Sequence, residues 1–282
     1  MSKKKISIIG AGTMGQGITQ VFLQHGYKVI LIDIDLDILK KAKNKIADIY
    51  SKLVAKEKIS QEDKDLYMDN LNISEDFKLL KDIPVIIETI KEDLKIKITL
   101  IKSIEEMVSG EAIIASNTSS LSITEIASGL IRPERFIGLH FFNPAPLLGL
   151  VEVVIGNKTS GKVKDKIISL VKDIEKEPII VKDSPGFIVN RLTIPYINEA
   201  IALFSEEIAS REDIDNAMRL GANYQMGPLE LADYIGLDVC LNIMENLYRD
   251  LNDSKYKPSR LLCKMVKLGK IGRKTEEGFY KY

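Results

Sequence analysis

Gly10-Ala11-Gly12-Thr13-Met14-Gly15 stands between an apolar run, Lys5 to Ile9, and a stretch in which Ile18, Val21 and Phe22 recur at helical spacing up to a stop at Gly26. A second apolar run, Lys28 to Ile32, follows and ends at Asp33. Strand, glycine turn, helix and strand in that order make a βαβ unit, the building block of a parallel sheet. The glycines of GxGxxG permit a tight turn and let a pyrophosphate approach the helix N-terminus. A carboxylate about twenty residues further on, at the end of the second strand, is placed to bond the ribose hydroxyls of a dinucleotide. Gly10, Ala11, Gly12, Thr13, Met14, Gly15 and Asp33 therefore form the expected cofactor site, the alternative being a plain tight turn with a helix-capping Asp. Asp33 favours NAD, because a carboxylate repels a 2′-phosphate and no Arg adjoins it, while Lys40 and Lys41 leave NADP open.

Outward from this unit, helical periodicity from Leu36 to about Glu57 and again from Gln61 to Leu71 predicts a helical hairpin inserted into the sheet. Strands are expected at Pro84 to Glu88, Ala112 to Ser116, Phe136 to His140, Val151 to Ile155 and Pro178 to Val181. Helical stretches alternate with them, so the fold class is α/β, a Rossmann-type, largely parallel, doubly wound sheet. After Asp183-Ser184-Pro185-Gly186 the alternation stops, and Ile188 to Phe204, Ile214 to Leu220, Leu229 to Leu251 and Arg260 to Leu268 all read as helices. The domains are accordingly 1–183, dinucleotide-binding, and 184–282, all-α.

The chain has 282 residues, 45% of them hydrophobic, enough for a sizeable core in two domains. Its 40 basic and 40 acidic residues balance, which removes the electrostatic reason to expect a nucleic acid or an anionic membrane as partner. Cys240 and Cys263 are the two cysteines, too few and too far apart for a secretory disulfide framework or a CxxC pair, and no metal is expected. The apolar run after Lys3, Lys4 and Lys5 is too short for a signal peptide and no segment has the length of a membrane span, so a cytoplasmic protein is expected.

Of the two histidines, His25 precedes the Gly26 stop, where a helix C-terminus suits a partial positive charge. His140 ends an apolar strand, on the side where doubly wound sheets bind their ligands. Glu152 sits inside Leu150-Val151-Glu152-Val153-Val154, where a carboxylate is costly unless paired, and His140 is a natural partner. Such a pair would make an oriented general base; a satisfied core histidine and an edge-exposed glutamate would read the same way.

Ser116-Asn117-Thr118-Ser119-Ser120, Gly138-Leu139-His140-Phe141-Phe142-Asn143-Pro144-Ala145-Pro146, Leu150-Val151-Glu152-Val153, Pro185-Gly186-Phe187-Ile188-Val189-Asn190-Arg191, Met226-Gly227-Pro228-Leu229-Glu230-Leu231 and Gly272-Arg273-Lys274 together resemble the short-chain L-3-hydroxyacyl-CoA dehydrogenases, most of all the bacterial 3-hydroxybutyryl-CoA branch of butyrate-forming fermentation. The resemblance covers nearly the whole chain. It implies an NAD-dependent enzyme interconverting short-chain (S)-3-hydroxyacyl-CoA and 3-oxoacyl-CoA, with a helical substrate-binding domain that also joins a homodimer. By family position His140 is the catalytic base and Glu152 its orienting carboxylate. Ser119 and Asn190 place the substrate's 3-oxygen, and Glu92, Lys97, Ser119, Asn143 and Lys274 surround the cofactor. Leu148-Gly149 departs from the family's usual Met-Lys and removes a cation there; Gln225 and Thr89-Ile90-Lys91-Glu92 are further departures.

On an ideal helix Lys45, Lys52 and Lys56 fall within about 40° of one another, beside an apolar stripe of Ile38, Ala42, Ile46, Ile49 and Leu53. The family position of Lys56 makes Lys52 and Lys56 candidate contacts for CoA phosphates; lysines that merely snorkel over apolar surface would share the pattern.

Overall fold

The computed structural model describes residues 4–282, and the chain divides into two compact units, Met1–Ser184 and Pro185–Tyr282. The first unit runs β1 (Lys5–Ile9), α1 (Thr13–Gln24), β2 (Lys28–Ile32), α2 (Leu36–Ala55), α3 (Gln61–Asp69), β3 (Leu71–Ser74), β4 (Val85–Glu88), α4 (Leu94–Met107), β5 (Ile113–Ser116), α5 (Ile123–Ala127), β6 (Phe136–Phe141), β7 (Leu150–Ile155), α6 (Gly161–Asp173) and β8 (Glu177–Lys182). The second is helical: α7 (Val189–Ser205), α8 (Arg211–Gly221), α9 (Pro228–Ile235), α10 (Leu237–Leu251) and α11 (Arg260–Lys267). This is the α/β Rossmann-type sheet with a helical hairpin, followed by an all-α unit, that the sequence predicts.

The strands form one sheet in the order β3-β2-β1-β4-β5-β6-β7-β8. All neighbours are parallel except β6 and β7, which pair antiparallel with His140 directly opposite Glu152. The order reverses between β1 and β4, and in open α/β sheets the crevice at such a switch point receives the ligand. The β1 residues Ile6, Ile8 and Ile9 are fully buried, as are Val29 and Leu31 of β2, which explains the near-continuous apolar runs that mark these strands in the sequence. Val21, Phe22 and Leu23 of α1 pack on this sheet, and the helix ends at Gly26, whose φ of 77° is left-handed. His25 sits at that C-terminus with its Nδ1 2.7 Å from the Val21 carbonyl.

Three sequence expectations need correction. The buried stripe of α2 is Leu39, Ala42, Ile46 and Tyr50, whereas Ile38 is 42% exposed. The Asp35 side chain accepts from the Asp37 and Ile38 amides and so fixes where the helix starts and which face it presents. The second hairpin helix ends at Asp69 rather than Leu71, because Leu71–Ser74 pairs in parallel with β2 as an edge strand of four residues, too short to show a periodicity of its own. The stretch from Leu229 to Leu251 is two helices rather than one, broken at Gly236, whose φ of 103° is foreign to L-residues.

In the second unit Leu229, Ala232, Leu237, Cys240, Met244 and Leu247 form a core with Ile197 and Ile201 of α7. Helix α9 begins at Gly227 without a side-chain cap of its own; the buried carboxylate of Asp215, from α8, accepts the Leu229 and Glu230 amides at 2.8 and 3.0 Å and the Tyr280 hydroxyl at 2.8 Å. A Cβ on Gly227 would lie 2.3 Å from the Asp215 side chain, so the glycine permits this approach. Asp215→Ala is expected to destabilise the protein by about 2–4 kcal/mol, the cost of leaving buried donors unsatisfied, with Asp215→Asn milder. Denaturant titration measures it, and a loss below about 0.5 kcal/mol for the alanine variant would contradict the capping role.

Candidate active site

The glycine loop closes over the sheet's switch point. The Gly10 amide donates to the Ile32 carbonyl at 2.7 Å, and Thr89, just beyond β4, donates its hydroxyl to the Gly10 carbonyl at 2.9 Å. Gly10 has φ 101°, and a Cβ on Gly15 would sit 1.8 Å from the Gly10 oxygen, so neither position admits another residue without moving the turn. Gly12, by contrast, is exposed, and a Cβ there would meet nothing within 4 Å. It stands at the N-cap of α1 with no side-chain cap, and the first turn carries no acidic residue. First-turn amides without a side-chain acceptor, facing open space at the positive end of a helix, suit a diphosphate.

Asp33 ends β2 with its Oδ2 accepting the Ala11 amide at 2.7 Å, which anchors the loop to the carboxylate; Oδ1 has no protein partner among the described residues. Lys40 stands by Asp37, Nζ to Oδ1 4.0 Å, on the exposed side of α2. These residues fit a dinucleotide whose ribose bonds Asp33.

At the end of β6, the His140 Nδ1 lies 2.7 Å from Glu152 Oε2. Glu152 is wholly buried and His140 is 5% exposed, so the pairing is made away from water, where a charge-assisted hydrogen bond is strongest. The ring of Phe142 stacks obliquely on the imidazole at 4.3 Å between centroids. Nδ1 is committed to the carboxylate, which leaves proton exchange with a substrate to Nε2. The end of β5 is tied to the same place, because Asn117 Oδ1 accepts the Phe141 amide at 2.8 Å.

A second polar cluster lies at the ends of β4 and β5. Glu92 Oε1 accepts the Thr118 hydroxyl at 2.6 Å, the Ser119 amide at 2.9 Å, and the Ser120 amide and hydroxyl at 3.1 and 3.0 Å. Lys97 is 1% exposed; its ammonium lies 3.5 Å from Glu92 Oε2 and 2.6 Å from Glu88 Oε1. Burial works against the charged form of Glu92, but Lys97 and the donors from Thr118, Ser119 and Ser120 outweigh it and hold the carboxyl below its ordinary range. Sequence reasoning missed Glu88, although a carboxylate closing the apolar run Val85-Ile86-Ile87 carries the same signal that singled out Glu152.

The other predicted residues are placed separately. Asn143 is exposed after β6 and joined to Pro144 by a cis peptide. Lys52 and Lys56 are exposed along the end of α2. In the second unit Asn190 lies in the first turn of α7, and Lys274 Nζ is paired with Asp238 at 3.0 and 3.1 Å. Where the sequence loses a cation at Leu148-Gly149, Lys176 Nζ donates to the Leu148 carbonyl at 2.7 Å, so an ammonium from the turn before β8 stands beside that segment.

A switch-point glycine loop, a ribose-type carboxylate and a buried His-Glu pair at one end of the sheet define a nicotinamide-dinucleotide oxidoreductase. Residues 5–184 match the family described as 3-hydroxyacyl-CoA dehydrogenase, NAD binding domain, and residues 186–282 match that described as 3-hydroxyacyl-CoA dehydrogenase, C-terminal domain. The chain is 46% identical over 278 residues to the 3-hydroxybutyryl-CoA dehydrogenase of Clostridioides difficile, covering 99% of each. It is 43% identical to the human mitochondrial hydroxyacyl-coenzyme A dehydrogenase, covering 99% of this chain and 91% of the human one. The crystal structure of (S)-3-hydroxybutyryl-CoA dehydrogenase from Ralstonia eutropha matches with a TM-score of 0.96 at 43% identity, covering 100% of this chain and 99% of that one. The chain belongs to the 3-hydroxyacyl-CoA dehydrogenase family, as an NAD-dependent oxidoreductase.

Asp33→Asn keeps an acceptor for the Ala11 amide while removing the charge that would repel a 2′-phosphate. It is expected to narrow the NADH-over-NADPH ratio of kcat/KM by about tenfold. Steady-state kinetics with both cofactors decides it: an unchanged ratio would place selectivity elsewhere.

Proposed function

We propose that the protein is a 3-hydroxybutyryl-CoA dehydrogenase, converting (S)-3-hydroxybutyryl-CoA and NAD+ to acetoacetyl-CoA, NADH and a proton, and the reverse. The observation that carries this reading is the buried His140–Glu152 pair, made at 2.7 Å at the ligand end of a dinucleotide-binding sheet. Bound NAD supplies the hydride acceptor for C3. In the oxidative direction His140 Nε2 takes the hydroxyl proton as C3 loses its hydride, and Glu152 stabilises the imidazolium that forms. In reduction the same nitrogen returns the proton to the developing alkoxide. Burial of the pair keeps water from competing for that proton.

Ser119 and Asn190 are assigned hydrogen bonds to the 3-oxygen. Glu92, Lys97, Ser119, Asn143 and Lys274 are assigned to the surroundings of the cofactor, and Lys52 and Lys56 to the CoA phosphates. The second unit, residues 184–282 in the sequence division, is assigned substrate binding and the contact of a homodimer, and the enzyme is placed in the cytoplasm. No helix among the described residues is long and apolar enough to cross a membrane, and the balanced charge offers nucleic acid no attraction.

The test is NADH oxidation with acetoacetyl-CoA, longer 3-oxoacyl-CoAs and free acetoacetate. Turnover is expected with acetoacetyl-CoA and not with the free acid. His140→Gln should lower kcat by about 100-fold to 10,000-fold, the usual worth of a general base, with NADH affinity little changed. Near-normal turnover in that variant would remove the role of His140, and activity confined to the free acid would remove the substrate class.

A further inference from the structure

Glu88 is a carboxylate with no solvent exposure, at the last position of β4. Burying such a charge costs several kcal/mol unless specific partners offset it. Three do. Its Oε1 accepts the Ile90 amide at 2.6 Å and the Lys97 ammonium at 2.6 Å, and its Oε2 accepts the Ser116 hydroxyl at 2.6 Å. These partners come from the segment after β4, from α4 and from the end of β5, so one side chain ties together three pieces of the rim on which the cofactor loop and the serine turn rest.

The arrangement is asymmetric in a way that matters for Ser119. Lys97 stands between two carboxylates but is held closely by Glu88, while its distance to Glu92 Oε2 is 3.5 Å. It also donates to the Ile90 carbonyl at 3.3 Å. Glu92 therefore faces the cation with one oxygen and keeps the other, Oε1, for the Thr118–Ser120 turn, including the Ser119 amide at 2.9 Å. Without the Glu88 charge, Lys97 would have one carboxylate left to neutralise, and attraction at short range in a poorly solvated site would draw it onto Glu92. That shift would turn Glu92 away from the serine turn.

We propose that Glu88 is a positioning residue, which through Lys97 and Glu92 fixes the Thr118–Ser120 turn and with it the Ser119 hydroxyl. Lys97 then works as the buried link between two carboxylates, its ammonium held by Glu88, Glu92 and the Ile90 carbonyl. The consequence for catalysis rests on the reading of Ser119 as a substrate contact; the consequence for the turn does not.

The experiment compares the full chain and its Glu88→Gln variant by site-resolved amide hydrogen exchange and by acetoacetyl-CoA reduction. Gln preserves size and one acceptor oxygen for the Ile90 amide and Lys97, exchanges the other oxygen for an amide group that can donate to the Ser116 hydroxyl, and removes the charge. Exchange at the Ser119 and Ser120 amides is expected to accelerate at least about tenfold while Ile8 and Ile9 of β1 are unchanged. The kcat is expected to fall about tenfold, with KM for NADH within about threefold of wild type. Glu88→Asp keeps the charge at a shorter reach; it should lie between the two on both readouts and supplies the comparison if the glutamine variant does not fold. Unchanged exchange at Ser119 and Ser120 overturns the proposal, as does acceleration spread evenly into β1, which would make Glu88 a support of the sheet alone. A wild type inactive on acetoacetyl-CoA would sink the proposed substrate while the exchange data still decide the role of Glu88.

Discussion

The contact between His140 Nδ1 and Glu152 Oε2 is the interaction on which the rest of the site depends. A carboxylate with no solvent exposure in the middle of a sheet is tolerable only if something neutralises it, and the antiparallel register of β6 on β7 delivers the imidazole opposite it. That pairing is the one antiparallel step in a sheet that is otherwise parallel among the described strands. The reversal has a simple consequence. The C-terminal end of β6 and the N-terminal end of β7 meet at the same edge as the C-terminal ends of β1, β4 and β5, so the pair is placed with the glycine loop and the serine turn. With all strands parallel, Glu152 would have pointed its end of β7 elsewhere.

Along that edge four acidic residues stand, and each is compensated differently. Asp33 takes one backbone amide on Oδ2 and keeps Oδ1 without a protein partner among the described residues, an arrangement that fits the proposed bond to a ribose. Glu88 is saturated and wholly buried, as suits a residue that holds others. Glu92 lies between, sharing Lys97 and gathering the serine turn. Glu152, wholly buried, has the imidazole of His140 as its partner at 2.7 Å, as suits a residue that orients a ring. The division of labour follows from the donors each position can reach, not from the residue type.

Much of this was legible in the sequence because it is local or polar in an apolar setting. The glycine turn and Asp33 belong to one βαβ unit, and His140 and Glu152 interrupt or end apolar runs where charge needs a reason. Glu88 carries the same signal, but its partners, Lys97 and Ser116, are brought to it by α4 and β5 and not by spacing that a sequence displays. The edge strand β3 is not legible in the sequence, since four residues give too short an alternation to outweigh a preceding helical pattern. Helices α9 and α10 read as one in the sequence because Gly236 lies in a continuous apolar periodicity, and its positive φ is a property of the turn, invisible in residue type alone. On α2 Leu39 and Tyr50 are buried where apolar spacing suggests Ile38 and Ile49, because neighbouring apolar residues leave the phase open and the Asp35 cap sets it.

The central claim, that Glu152 fixes the tautomer of a catalytic imidazole, is tested most directly by nitrogen-15 NMR of His140 in its neutral form. The two ring nitrogens are distinguishable, and the proton is predicted on Nδ1, shared with Glu152, leaving Nε2 as the basic nitrogen. The signal should change over in Glu152→Gln, whose amide can donate to Nδ1. A neutral imidazole in the wild type that carries its proton on Nε2 would contradict the account.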